Sequence, residues 1–240
     1  MTVNGTNIST FGARQHNVVF SKSDIAGKGE WPKSAALPFF DFIDVGFKNI
    51  SVDVIVRGNS RADIHNKISN LLALFQEEAD VVLDGFSNTY HVVMRSHRES
   101  EVSMKRWHKV RLELTGYGYG PAVTAQITSG TTLTINNPGN RRESPCVLQI
   151  TPRAGVASAT ITGICRDPFT GADLPVVVKN TTANKVVTID GLTGLITENN
   201  ANKAGDVTIW RLPSLKPGSN SIVTSSGSLS LKVTVTPLYI

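Results

Sequence analysis

The sequence predicts a mainly β protein in two domains: an N-terminal β-rich α+β domain with one helix over 1–121, then a C-terminal antiparallel β-sandwich of jelly-roll type over 122–240. Three observations carry this. Apolar residues alternate along Ile50, Val52, Val54 and Val56, and again along Leu229, Leu231, Val233 and Val235, the period of strands buried on one face. A single stretch, Ile64, Ile68, Leu71, Leu72 and Phe75, repeats at helical spacing. Beyond residue 121 short apolar alternations are separated by turn-forming residues with no helical period.

In chain order, the first forty residues contain few long periodic runs, and the Gly, Lys and Pro-rich stretch from Gly27 to Pro38 predicts a long loop or extended arm. The strand through Ile50–Val56 stops at Gly58. A helix near 61–76 follows, with Ser60 as its N-cap and Asp63 three residues on. Its apolar stripe predicts packing onto the Ile50–Val56 face, because neither surface is stable uncovered. ADVVLDG, from Ala79, predicts a strand ending in an Asp-Gly turn; TYHVVMRS, from Thr89, a short strand; and Trp107 to Thr115 a strand with Val110, Leu112 and Leu114 on one side. Glycines and a proline in GYGYGP, Gly116 to Pro121, predict the end of that strand and the domain boundary. This run opens no helix, so it lacks the N-terminus a phosphate loop needs.

In the second domain Leu133 and Ile135 lead to the turn Asn137–Gly139, and Cys146, Leu148 and Ile150 alternate in the next strand. Val187 and Ile189 precede an Asp190-Gly191 hairpin signal. Pro217-Gly218 is a turn, since proline presets one backbone angle and glycine accepts the positive one.

Length suffices for cores that need no cofactor or disulfide. Residues 1–120 carry 14 basic and 13 acidic side chains and 121–240 carry 10 and 6; the basic residues come singly or in pairs, such as Arg141-Arg142, so no nucleic-acid footprint is drawn. No charged start with an apolar run marks a signal peptide, and no stretch is long enough to span a bilayer, which sets a reducing cytoplasm as the default. Cys146 and Cys165, in apolar strand-like surroundings, read as buried thiols.

No catalytic, cofactor-binding or metal-binding residue is assigned, and no cofactor. His16, His65, His91, His97 and His108 lack metal-pair spacing; His91 falls in a strand and His97 in the polar turn after it. Asp24, Glu30, Asp41 and Asp44 form no calcium loop. There is no Gly-x-Ser-x-Gly elbow or lysine phosphate loop, and no spacing favours paired carboxylates for glycoside hydrolysis. A carbohydrate-binding sandwich is the alternative; after residue 121 its aromatics are Phe169, Trp210 and Tyr239, with Trp210 read as core at least as readily as surface.

Several segments together are similar to the distal tail proteins of long-tailed bacteriophages or prophages. They are the strand-helix unit Ile50 to Phe75, the boundary Gly116 to Pro121, INNPGN from Ile135 with SPCVLQI after it, VVTIDG at Val186 to Gly191, and the closing LPSLKPGSNSI from Leu212 with its strand. The arm departs from the Pro-Gly-Arg-Asp-Gly-like sequence often found there. This resemblance implies a galectin-like C-terminal sandwich and a non-enzymatic structural protein of the virion tail tip, assembled in the host cytoplasm. It further implies a homohexameric ring between tail tube protein and tail-tip hub or tail-associated protein, scaffolding receptor-binding or fibre proteins, with neither nucleic-acid sequence recognition nor membrane contact.

Overall fold

The computed structural model describes residues 1–21, 25–30, 39–102 and 106–240, with 25–30 and 39–44 described by backbone alone. Two compact units emerge, Met1–Tyr119 and Gly120–Tyr239. The molecule is mainly β with antiparallel sheets and, among the described residues, one α-helix.

The first unit contains β1 (Thr2–Val3), β2 (Thr6–Asn7), β3 (Ala13–Ser21), β4 (Ile25–Glu30), β5 (Phe39–Val45), β6 (Lys48–Arg57), α1 (Arg61–Ala73), β7 (Ala79–Val82), β8 (Thr89–Glu101) and β9 (Trp107–Tyr119). One sheet runs β2-β1-β7-β8-β9-β6-β3; β4 and β5 pair with each other. Ile50, Val52 and Val54 oppose Leu114, Leu112 and Val110 in the β6–β9 ladder. All six are buried, and Ile64, Ile68 and Leu71 of α1 pack into the same cluster. The Ser60 hydroxyl accepts from Asp63 N at 3.1 Å, so the expected cap starts the helix. Leu72 is only partly buried, and Phe75 closes the core from beyond the helix end.

Four expectations for this unit are corrected. β3 is a nine-residue strand within the stretch expected to hold few long periodic runs; a bulge between Gln15 and Asn17 interrupts its alternation. Within the expected arm, Gly27–Glu30 belongs to β4, which pairs antiparallel with β5; 31–38 lies outside the described residues. β8 continues to Glu101, so His97 stands in a strand opposite Leu112 and not in a turn. A bulge between Met94 and Ser96 shifts the register there and hides the period.

The fourth correction concerns GYGYGP, for β9 runs on through Tyr119 and pairs Gly118 with Tyr90. Gly116 extends the ladder because it has no side chain: a Cβ there would lie 1.9 Å from the His91 carbonyl oxygen and 2.8 Å from Val92 Cα. The Tyr90 ring covers Gly118 at 3.2 Å from where its Cβ would be. These glycines permit a close strand approach.

The second unit holds β10 (Val123–Ile127), β11 (Thr132–Asn137), β12 (Ser144–Pro152), β13 (Ser158–Thr162), β14 (Val176–Lys179), β15 (Val187–Asp190), β16 (Ile196–Glu198), β17 (Ala201–Asn202), β18 (Val207–Thr208), β19 (Ser214–Leu215), β20 (Gly218–Thr224) and β21 (Leu229–Val235). Its sheets run β10-β21-β12-β15-β16-β17, with β19 on β12, and β11-β20-β13-β14-β18. Inward residues of both sheets, among them Leu148, Ile150, Ile161, Val178, Ile222, Leu231 and Val233, form one buried cluster, the core of an antiparallel sandwich.

One turn differs from expectation. Asp190-Gly191 is not a two-residue hairpin. The connection from β15 to β16 closes through Asp190 N to Leu195 O and Gly194 N to Asp190 O, both 2.9 Å, with Gly194 at φ 75°. Gly191 donates instead to Cys146 O, and a Cβ on it would lie 2.0 Å from Pro213 O. The Pro217-Gly218 turn forms as expected, with Gly218 at φ 83°, and β20 starts at Gly218 itself. Asn220 holds that corner, donating from Nδ2 to Lys216 O and Gly218 O at 2.9 Å each.

Candidate functional site

On the face of the first sheet opposite α1, polar residues pair across strands. Asp53 receives Arg111 through Nε at 2.7 Å and Nη2 at 3.1 Å, and Lys109 Nζ at 2.7 Å. Its side chain is 5% exposed, although it lies on the outward face, because the two cations cover it. The Arg111 hydrogen bonds, supported by Lys109, hold its carboxyl down at about 2, against the opposing effect of burial. Ser51 donates to Glu113, and Thr115 Oγ1 to Asn49 Oδ1 at 2.7 Å. This face is a lattice of matched charges and hydroxyls.

Both margins of that sheet present strand edge. β3 pairs with β6 on one side only, and β7 covers just Thr89–Val92 of β8. Among the described residues no strand pairs with the far side of β3 or with the outer side of 93–101. Such edges carry unpaired backbone donors and acceptors.

The histidines are dispersed. His91 is held between Asp80, from Nδ1 at 2.9 Å, and Glu78, from Nε2 at 3.1 Å, and the Asp80 hydrogen bond raises its pKa. His65 and His108 line one depression beside Glu99 and Glu101. No group of three or more His, Cys, Asp or Glu among the described residues is placed to hold a metal ion. No described helix is long and apolar enough to cross a membrane. Both cysteines are free and buried. Burial pushes the Cys165 thiol up to about 12 and raises that of Cys146 further; Cys165 Sγ donates to Arg211 O at 3.1 Å.

In the second unit Trp210 is 74% exposed and Phe169 93% exposed, which corrects the core reading of Trp210. The core reading rests on its place between the strand DVTI and the LPSL turn; the strand ends at Thr208, and Trp210 continues its alternation on the exposed side with Thr208, away from Val207 and Ile209. Next to Trp210, Arg211 Nη1 bonds to Glu143 at 3.1 Å and to Arg166 O at 3.0 Å. Arg211 and Glu143 line an open cleft of about 500 Å³ with Arg141, Leu212 and Leu238. Sequence reasoning missed this cleft because its residues come from four separated segments, around residues 141–145, Gly191, 211–214 and Leu238.

The sequence matches no protein-family profile and no curated protein. Solved structures are similar. The SPP1 Dit protein (gp 19.1), described as a paradigm of hub adsorption apparatus in Gram-positive infecting phages, matches with a TM-score of 0.78 at 15% identity, over 99% of this chain and 98% of that one. The phage P2 baseplate in its activated conformation matches with TM-scores of 0.49 with Ca, at 9% identity over 96% and 92%, and 0.47 with Sr, at 10% identity over 94% and 92%. The latter scores are too low to bear on the fold. Over nearly its whole length, this chain has the fold of a phage distal tail protein.

Proposed function

We propose that the chain is a non-enzymatic structural component of a bacteriophage tail tip, made and assembled in the host cytoplasm and carried in the virion. In this reading residues 1–121 form a homohexameric ring that joins the tail tube to the tail-tip hub. The sandwich over 122–240 scaffolds receptor-binding or fibre proteins. The likeness to the SPP1 hub protein along 99% of the chain carries the reading. The two free margins of the first sheet support it: an edge on each side of one sheet suits head-to-tail contacts that close on themselves.

Native mass spectrometry and negative-stain imaging of the full chain test it. Rings of six are expected, and charges placed beside the edges, Val19→Lys with Val93→Lys, should abolish them without lowering the melting temperature, since both side chains are exposed. Rings that persist in that variant would rule out edge pairing. A second reading, a carbohydrate-binding sandwich, draws on exposed Trp210 and Phe169; a soluble monomer with measurable glycan affinity would favour it.

A further inference from the structure

We infer that the cleft at Arg211 is a docking site for a protein segment with an apolar anchor flanked by acidic side chains. The inference rests on the tail-tip reading only in taking the partner for another tail component.

The cleft's lining is aliphatic at Pro145, Leu212, Pro213 and Leu238 and cationic at Arg141 and Arg211. A smaller depression shares Glu143 and Ser214 with it and adds Arg142, Arg166 and Lys216. Five cations therefore line two adjoining depressions, and their carboxylates, Glu143 and Asp167, like the nearby Asp173, are already engaged. Glu143 takes Arg211 at 3.1 Å and Ser214 Oγ at 3.3 Å. Asp173 pairs with Arg166 at 3.3 Å, and Asp167 accepts from Phe169 N and Thr170 N at 2.8 and 2.9 Å. Among the described residues Arg141 and Lys216 meet no carboxylate, and Arg142 donates to the Pro168 carbonyl. The site offers donors in surplus and almost no free acceptor. A neutral glycan requires both; an acidic peptide requires donors.

Exposed apolar surface adjoins the cleft. Leu212 lies against the turn at Gly194, where a Cβ would meet its methyls at 3.8 Å. That turn displays Leu192 and Leu195, both more than 60% exposed, and Trp210 stands two residues before Leu212. Exposed leucines grouped at this turn mark an interaction surface, and Arg and Trp, here Arg211 with Trp210 next to it in the chain, are among the residues that most often carry binding energy. The aliphatic lining accepts a leucine or phenylalanine side chain, and the cations beside it accept the flanking carboxylates.

The test is titration of the full chain, followed by Trp fluorescence and calorimetry, with four probes: the capped peptide EDLFDE, its basic counterpart KKLFKK, a chitin oligosaccharide and inorganic phosphate. The acidic peptide alone should bind. Its affinity should fall by about tenfold or more in Arg141→Glu/Lys216→Glu and in Trp210→Ala, and survive in Arg141→Lys, with melting temperatures unchanged in all three. Binding of the oligosaccharide or phosphate without the acidic peptide, binding unaffected by these substitutions, or no binding of any probe would overturn the inference. Imaging the same proteins keeps the two readings apart: rings without peptide binding remove only the docking site, and peptide binding without rings removes only the ring.

Discussion

Asp53 places a carboxylate on the outward face of a sheet yet keeps it almost dry beneath Lys109 and Arg111. Its folded pKa lies below the unfolded value, so its contribution is fully present above about pH 4 and lost as pH falls through about 2. Both cations keep contact with solvent, which discounts the pair. Asp53→Asn should therefore cost about 1–2 kcal/mol at neutral pH, and denaturant melts should show the difference from the parent closing between pH 4 and pH 2. A gap that stays constant across that range would mean the carboxylate's charge is not what matters. At Gly116 the constraint is steric. Gly116→Ala drives a methyl into the His91 carbonyl, backbone that cannot rotate away, and should destabilise the first unit by about 3 kcal/mol or more. Loss of under about 1 kcal/mol would show that β8 and β9 part easily there.

Among elements, α1 separates what periodicity reveals from what it does not. Ile64, Ile68 and Leu71 are buried to 1% exposure or less, whereas Leu72 on the same stripe reaches only the margin of the core. Leu71→Ala should cost about 2–5 kcal/mol and Leu72→Ala about 1 kcal/mol; equal losses in urea melts would contradict this division. The helix and its cap were legible because every signal lies within a few residues: Ser60, Asp63 and a 3.6-residue period. β6 and β21 were legible because their alternation is unbroken over seven residues or more. β3 and the far half of β8 were not, since one bulge in each reverses which residues face inward. Glycines at 116 and 118 misled for a related reason: local composition says turn, while the close neighbours that require glycine, His91 and Tyr90, come from another strand. The cleft at Arg211 is of this kind too, built from residues such as Glu143 and Arg211, 68 apart, that only the folded sandwich brings together.

For the whole molecule, the sandwich depends on its last long strand. β21 lies between β10 and β12, pairing five residues with the first and seven with the second. Leu229, Leu231, Val233 and Val235 are each fully buried in the core. Losing four such side chains forfeits roughly 6–12 kcal/mol of burial, comparable with the entire stability of a domain, about 5–15 kcal/mol. β10 would lose its paired neighbour, and β12 would become an apolar edge with Cys146, Leu148 and Ile150 open to other chains. Deletion from Ser228 onward should accordingly remove one calorimetric transition and leave a chain that aggregates, whereas a dispensable tail would change neither. A truncated chain that stays soluble, melts as the parent does and still forms rings would show that β21 serves neither the sandwich nor the assembly, and the closing motif would then lose its structural meaning.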